Sequence, residues 1–302
     1  VPRSPLPTRH GLQAAWVRTP DGGVALPWAG MGEWLRERLG ERVDVGRLLA
    51  EGRFVRDDLG VVREDDPVRP ATFVWFHRDL REEPEVPGEL VVVHRDDRIV
   101  VVDKPAFLST IPRGNHVVQS VVVRLREQLG LPELSSLHRL DRITSGLVVL
   151  ATEKRWRAPY QRLWETGEVA KTYRALAPYR HDLELPVTVR DHIRKEPGRP
   201  PEVVAGAPVN AETRVELEEQ YDASARYRLV PRTGRTHQLR LHLLGLGIPI
   251  AGDPLYPVPT VVDVDDFSTP LQLLAAELAF TDPVDGSPRR FASTRSLPLP
   301  PG

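Results

Sequence analysis

Residues 138 to 151 read HRLDRITSGLVVLA, and no other stretch constrains the chain as tightly. One carboxylate, Asp141, stands among three basic residues, His138, Arg139 and Arg142. A small polar turn (Thr144, Ser145, Gly146) follows, then an apolar run from Leu147 to Ala151. The run predicts a strand anchored in a core, and the neighbouring cations can hold a carboxylate ionised at its entrance. A nucleophile or base is mounted in that way. Composition alone favours a plainer reading, a solvated ion-pair loop leading into an ordinary core strand, because charge runs usually face water. The rest of the chain decides between them.

A chain of 302 residues that is 40% apolar allows one large domain, or one large and one small, around a real core. No apolar run reaches the roughly 18 residues that span a bilayer, and the first residues lack the apolar stretch of a signal peptide. A cytoplasmic protein with no membrane partner is expected. The absence of cysteine excludes disulfides, thiolate nucleophiles and cysteine-type zinc sites. Catalysis must come from oxygen and nitrogen groups. A formal net charge of −1 argues against a surface coated with positive charge, so a nucleic-acid partner would need a local basic patch. Lysine occurs only at 104, 154, 171 and 195. The remaining cations are arginines, suited to bidentate phosphate contacts and to stacking on bases, although a GC-rich genome accounts for the same bias.

Residues 1–27 lack periodicity and are expected to form a loosely held, irregular arm. Residues 28–80 predict a small α/β module, with two short amphipathic helices between Glu33 and Leu49 and a strand in TFVWFH (72 to 77). The prolines and acids of 81–89 suit an exposed linker. Residues 90–302 form the main domain. Its first part, LVVVHRDDRIVVVDKP, predicts an antiparallel pair, 116 to 130 a helix closed by Gly130, and Arg155 to Trp164 another. A strand is expected through Tyr173, and others near 212–218, 225–231, 271–280 and 288–294. Residues 180–208 predict a long loop. This order lacks the rhythm of a doubly wound sheet and any glycine-rich phosphate fingerprint, so the fold class is α+β with a mixed, largely antiparallel central sheet flanked by helices.

HRLDRITSGLVVLA resembles the catalytic signature of the RluA-type pseudouridine synthases. VVVDKPAFLSTIP (100 to 112), KTYRAL (171 to 176), RTGRTHQLRLH (232 to 242) and IAGDPLY (250 to 256) resemble further motifs of that family in the same order. The resemblance covers roughly residues 90 to 295 and is specific, because several independent motifs seldom share order and spacing by chance. GRLLAEGRFVRDDLGVVREDDPV (46 to 68) resembles a degenerate copy of the small RNA-binding domain that many members carry.

The resemblance implies an enzyme that isomerises uridine in ribosomal or transfer RNA to pseudouridine with a flipped-out base, with no cofactor and a cleft across the middle of the sheet. Asp141 matches the single essential aspartate, acting at the anomeric carbon as nucleophile or as the base that gives a glycal. Tyr173 would stack on uracil and assist the proton leaving carbon 5. Arg235, at the start of an expected helix carrying Leu239, Leu243 and Leu246 on one face, would pair bidentately with Asp141, with Arg240 the less favoured substitute. Arg139 would fill the gap left by the flipped base or bind a phosphate. His138, expected to hydrogen-bond its loop, Arg142, Lys171 and Leu239 complete the substrate-contacting set.

No metal is expected, since His237 and His242 fall on different faces of a helix or a strand. No exposed heptad or apolar stripe stands out, so a monomer is expected. Phe107 and Ile111 stand where the family often has glycine and histidine, which predicts a differently shaped entry loop. Two other readings stay open on the residues. One is a catalytically silent RNA-binding or ribosome-assembly protein. The other is a glycosidase or hydrolase, for which Asp253 or Asp103 would have to supply a second carboxylate.

Overall fold

The computed structural model describes residues 2–22, 27–113 and 116–298, and the chain divides into two units, Val1–Glu82 and Glu83–Gly302. In the first unit, β1 (Ala15–Arg18) pairs antiparallel with β2 (Phe73–Phe76), and α1 (Met31–Leu39) and α2 (Val45–Ala50) lie between them in sequence. Trp34, Leu35, Leu48, Phe54, Val74 and Phe76 form its core. The expected loose arm is corrected here. Residues 15–18 supply β1, because alternate burial of Val17 in that core fixes the segment as a strand. Residues 1 and 23–26 of the arm lie outside the described residues.

The second unit opens with a correction to the linker. The Glu83 carboxylate accepts from the backbone N–H groups of Val117, Val118 and Gln119 at 2.8–2.9 Å, and Val86 is buried in a core cluster. These ties hold 83–89 against the main domain. They also take up the N–H groups of 117–119, so the helix expected from 116 starts only at Val121.

The elements that follow are β3 (Val91–Arg95), β4 (Ile99–Lys104), α3 (Val121–Leu129), β5 (Ser135–Ser136), β6 (Ser145–Ala151), α4 (Lys154–Glu165), β7 (Ala170–Pro178), β8 (Val187–Asp191), β9 (Ile193–Arg194), β10 (Glu202–Val203), β11 (Ala211–Gln220), β12 (Ser224–Pro231), α5 (Gln238–Gly245), β13 (Leu273–Thr281) and β14 (Pro288–Ala292). Ten of these strands form one sheet in the order β3-β4-β6-β13-β7-β12-β11-β8, with β14 beside β13 and β5 beside β6. Among the described residues every pairing in it is antiparallel except β6 with β13. The α+β class and the largely antiparallel sheet follow. Residues 180–208 are not one loop, because β8 extends the sheet edge and β9 and β10 form a ribbon.

Strict alternation gives the sheet two apolar faces. On the front, Val100, Val102, Val148 and Leu150 pack under α3, while Ala175, Ala177, Tyr227 and Leu229 pack under α5. Ile143 and Tyr173 touch both clusters. On the back, Ile99, Val101, Leu147 and Val149 pack with Tyr160 and Leu163 of α4. Further along the back face, β7, β11 and β12 carry ion pairs instead, with Arg174 and Arg226 on Glu218, and Arg214 and Arg228 on Glu216. The two front halves meet at the parallel seam, where Leu274 and Ala275 align with Ser145 and Gly146. Gly146 has φ +110°, and a Cβ there would stand 2.3 Å from the Ala275 carbonyl oxygen. Only glycine permits that approach.

Candidate active site

The loop that carries Asp141 enters β6 at this seam and is tied down on every side. Lys104, fully buried at the end of β4, donates from Nζ to the carbonyl oxygens of Pro105, Leu108 and Arg142 at 2.7–3.0 Å. Burial pushes its ammonium well below the ordinary lysine range. Thr110 Oγ1 donates to the Leu140 carbonyl and accepts from the Leu140 N–H. His138 Nε2 accepts from the Val149 N–H at 3.0 Å, and its ring stacks on Trp164 at 4.8 Å. Burial pushes the His138 pKa down to about 3. His138 is therefore a neutral ring that fixes the loop. Phe107 keeps a left-handed backbone, φ +67°, so the entry loop has the conformation that glycine would give it, and Arg142 lies over its ring at 5.7 Å.

Asp141 opens into a cleft of about 720 Å³. Its carboxylate is partly exposed, with Arg240 Nη1 at 3.9 Å and His237 Nε2 at 3.7 Å. Arg240 is 2% exposed and forms a bidentate pair with Asp253, Nε to Oδ2 at 2.7 Å and Nη2 to Oδ1 at 2.6 Å. Asp253 also accepts from the N–H groups of Leu255 and Tyr256, and the Tyr256 ring lies under the guanidinium at 5.1 Å. A charge so clamped presents one fixed edge to Asp141. Tyr173 lines the cleft from β7. Burial, with Asp141 adding to it, raises its phenol above the ordinary range, so the hydroxyl stays protonated at neutral pH. Among the described residues, seven cationic side chains line the cleft, Arg113, Arg139, Arg142, Lys171, Lys195, Arg235 and Arg240, against the single carboxylate of Asp141.

The expected partner of Asp141 is corrected. Arg235 is exposed before α5 and donates from Nε to the Asn210 carbonyl at 3.1 Å, while Arg240 reaches Asp141. The cause is where the helix begins. His237 adopts φ +54°, and the Gln238 side chain accepts from the Arg235 N–H and from Thr233 Oγ1, so α5 starts only at Gln238. Arg240 is thereby in the first turn and Arg235 outside it. Leu239 is a core residue of the front cluster, forming the cleft wall. Lys171 donates to the Thr233 carbonyl at 3.3 Å. Arg139 is exposed at the cleft.

The RNA pseudouridylate synthase family model matches residues 98–244. The chain is 35% identical over 211 residues to a protein of Yersinia pestis named dual-specificity RNA pseudouridine synthase RluA, covering 67% of this chain and 97% of that one. It belongs to the RluA-type pseudouridine synthases. The protein of the same name from Escherichia coli K12 is 37% identical over 212 residues, covering 67% of this chain and 91% of that one. Among solved structures, Human RNA Pseudouridylate Synthase Domain Containing 1 matches with TM-score 0.56 at 25% identity, covering 70% of this chain and 86% of that one.

For a pseudouridine synthase, sequence reasoning ranked Arg240 second to Arg235, weighed His237 only as a metal ligand, and passed over Tyr256 and Lys195. All lie in quoted motifs except Lys195, which the 180–208 excursion brings to the cleft. The directions of His237 and Arg240 depend on the start of α5, which had no local signal. The glycosidase reading fails on geometry. Asp253 is 1% exposed and held by Arg240, and Asp103 is fully buried against Ser293, Thr294 and Arg295. Neither can serve as a second cleft carboxylate.

Proposed function

We propose that this chain isomerises specific uridines of ribosomal or transfer RNA, with Asp141 acting at the anomeric carbon. The observation that carries the reading is a lone carboxylate at the centre of a cleft otherwise lined by cations, because an RNA backbone needs those cations and the reaction needs one anionic group. The bond from sugar to ring nitrogen breaks, the base turns, and a bond to ring carbon 5 forms as its proton moves to nitrogen. No redox change occurs, so no cofactor or metal is required. Arg240 holds a positive charge 3.9 Å from Asp141 Oδ2, and the protonated Tyr173 phenol faces the detached base. Arg139 and Lys195 contact phosphate or fill the place of the flipped base. The printed names of the relatives, dual-specificity RNA pseudouridine synthase, support an RNA substrate, and action as a monomer is part of the same reading. Cytoplasmic RNA is the corresponding location.

A pseudouridine map of total RNA from a strain lacking the protein, complemented by wild type or by Asp141→Asn, tests this. Sites should vanish in the deletion and return with wild type only. An unchanged map, or restoration by Asp141→Asn, would overturn it.

A further inference from the structure

His237 stands beside Asp141 with the wrong hydrogen-bond complement for a simple pair. Its Nδ1 lies 3.1 Å from Tyr256 Oη, and that oxygen lies 3.1 Å from the Pro201 carbonyl oxygen. A carbonyl only accepts, so the single phenol proton goes to Pro201 and the phenol oxygen accepts from His237 Nδ1–H. Burial and the Arg240 guanidinium hold the ring below its ordinary pKa, against the pull of Asp141 and Asp253. At neutral pH the Nδ1–H tautomer leaves Nε2 as a bare lone pair. It stands 3.7 Å from Asp141 Oδ2, another acceptor. Two acceptors at that separation repel unless they share a donor. The His237 ring is held by its hydrogen bond to Tyr256, and the backbone on either side of Asp141 by its pinned loop.

We propose that His237 Nε2 and Asp141 Oδ2 together receive the ribose 2′-hydroxyl of the target nucleotide, making His237 a specificity residue for ribose over deoxyribose. The inference rests on the uridine isomerisation proposed above. The anomeric carbon is bonded directly to the carbon that bears the 2′-hydroxyl, so a carboxylate placed at the first is within hydrogen-bond reach of the second. Asp141 Oδ2 already has the Arg240 guanidinium 3.9 Å away, so the hydroxyl brings the proton that His237 Nε2 lacks, and it is the group by which RNA differs from DNA.

The test is single-turnover kinetics on a synthetic RNA stem-loop spanning a uridine that the protein restores in cells. The target nucleotide is uridine, 2′-deoxyuridine or 2′-fluorouridine, and the proteins are wild type, His237→Asn and Tyr256→Phe. Asparagine tolerates the left-handed backbone but is too short to reach the hydroxyl. Changes in intrinsic reactivity of the sugar are shared by all three proteins and cancel in the comparison. The rate loss on each donor-free substrate, relative to uridine, should be about 10-fold or more greater for wild type than for His237→Asn. Tyr256→Phe, which frees the tautomer, should fall between them. An equal loss in wild type and His237→Asn overturns the role of His237 while the function stands. No pseudouridine from wild type on the ribose substrate overturns the function itself, and this inference with it.

Discussion

Arg240 and Arg235 carry the same charge five positions apart in one motif, yet only Arg240 is buried against Asp253 and faces Asp141. Arg240→Lys keeps a cation but loses the fork that grips Asp253, so Asp141 loses its fixed neighbour. We expect kcat to fall about 100-fold or more. Arg235→Ala should weaken RNA binding and change kcat by less than about threefold. Steady-state kinetics of the two variants checks both, and the opposite ranking would restore Arg235 as the partner of Asp141. The sequence showed that an arginine of this motif belongs at the site. Which one depends on a histidine with positive φ and a glutamine that closes the preceding loop, and neither residue type signals a helix start. Asp141 and Tyr173 were singled out by the motifs HRLDRITSGLVVLA and KTYRAL, not by strand position alone, and the structure brings both to one cleft.

Among the elements of the catalytic unit, β12 follows a strict apolar alternation, while β4 and β6 are continuous runs buried on both faces. The parallel pairing of β6 with β13 had no local signal, since those strands are far apart in sequence and periodicity says nothing of neighbours. The seam depends on Gly146. Gly146→Ala should destabilise the fold by about 2 kcal/mol or more, because it combines a strained backbone with a carbonyl in the path of the new methyl. Urea unfolding measures this, and a variant as stable as wild type would show that the seam can open without cost. The Asp141 loop predicts a pH effect through His138. Its pKa is near 3 in the folded protein and about 6.5 when unfolded, so the unfolded chain binds the extra proton between those values. Stability present above pH 6.5 is lost as pH falls toward 3, by up to about 1.4 kcal/mol per pH unit. Unfolding measured from pH 7 to 4.5 should show a shallower slope for His138→Asn than for wild type, and equal slopes would contradict the half-buried neutral ring.

At the scale of the whole molecule, a formal charge of −1 hides a segregated distribution. Arg113, Arg139, Lys195 and Arg235 are exposed at the cleft, whereas Arg174, Arg214, Arg226 and Arg228 are paired with glutamates on the back of the sheet. About four phosphate contacts imply that RNA affinity falls roughly 100-fold between 50 and 200 mM salt. Arg139→Ala should make that log-log slope shallower by about one if Arg139 holds a phosphate, and leave it unchanged if Arg139 only stacks. Filter binding across a salt series distinguishes the two. Composition made a local basic patch an expectation, but only the folded sheet shows where it lies. The ion pairs behind the sheet have a consequence for competition. Bulk RNA far outnumbers any one target, and each uncompensated arginine stripe on an enzyme is a place for a decoy to lodge. A sheet whose back is already neutralised by its own glutamates offers decoys little hold there, so added non-target RNA should slow turnover chiefly by entering the cleft, as a competitive inhibitor would.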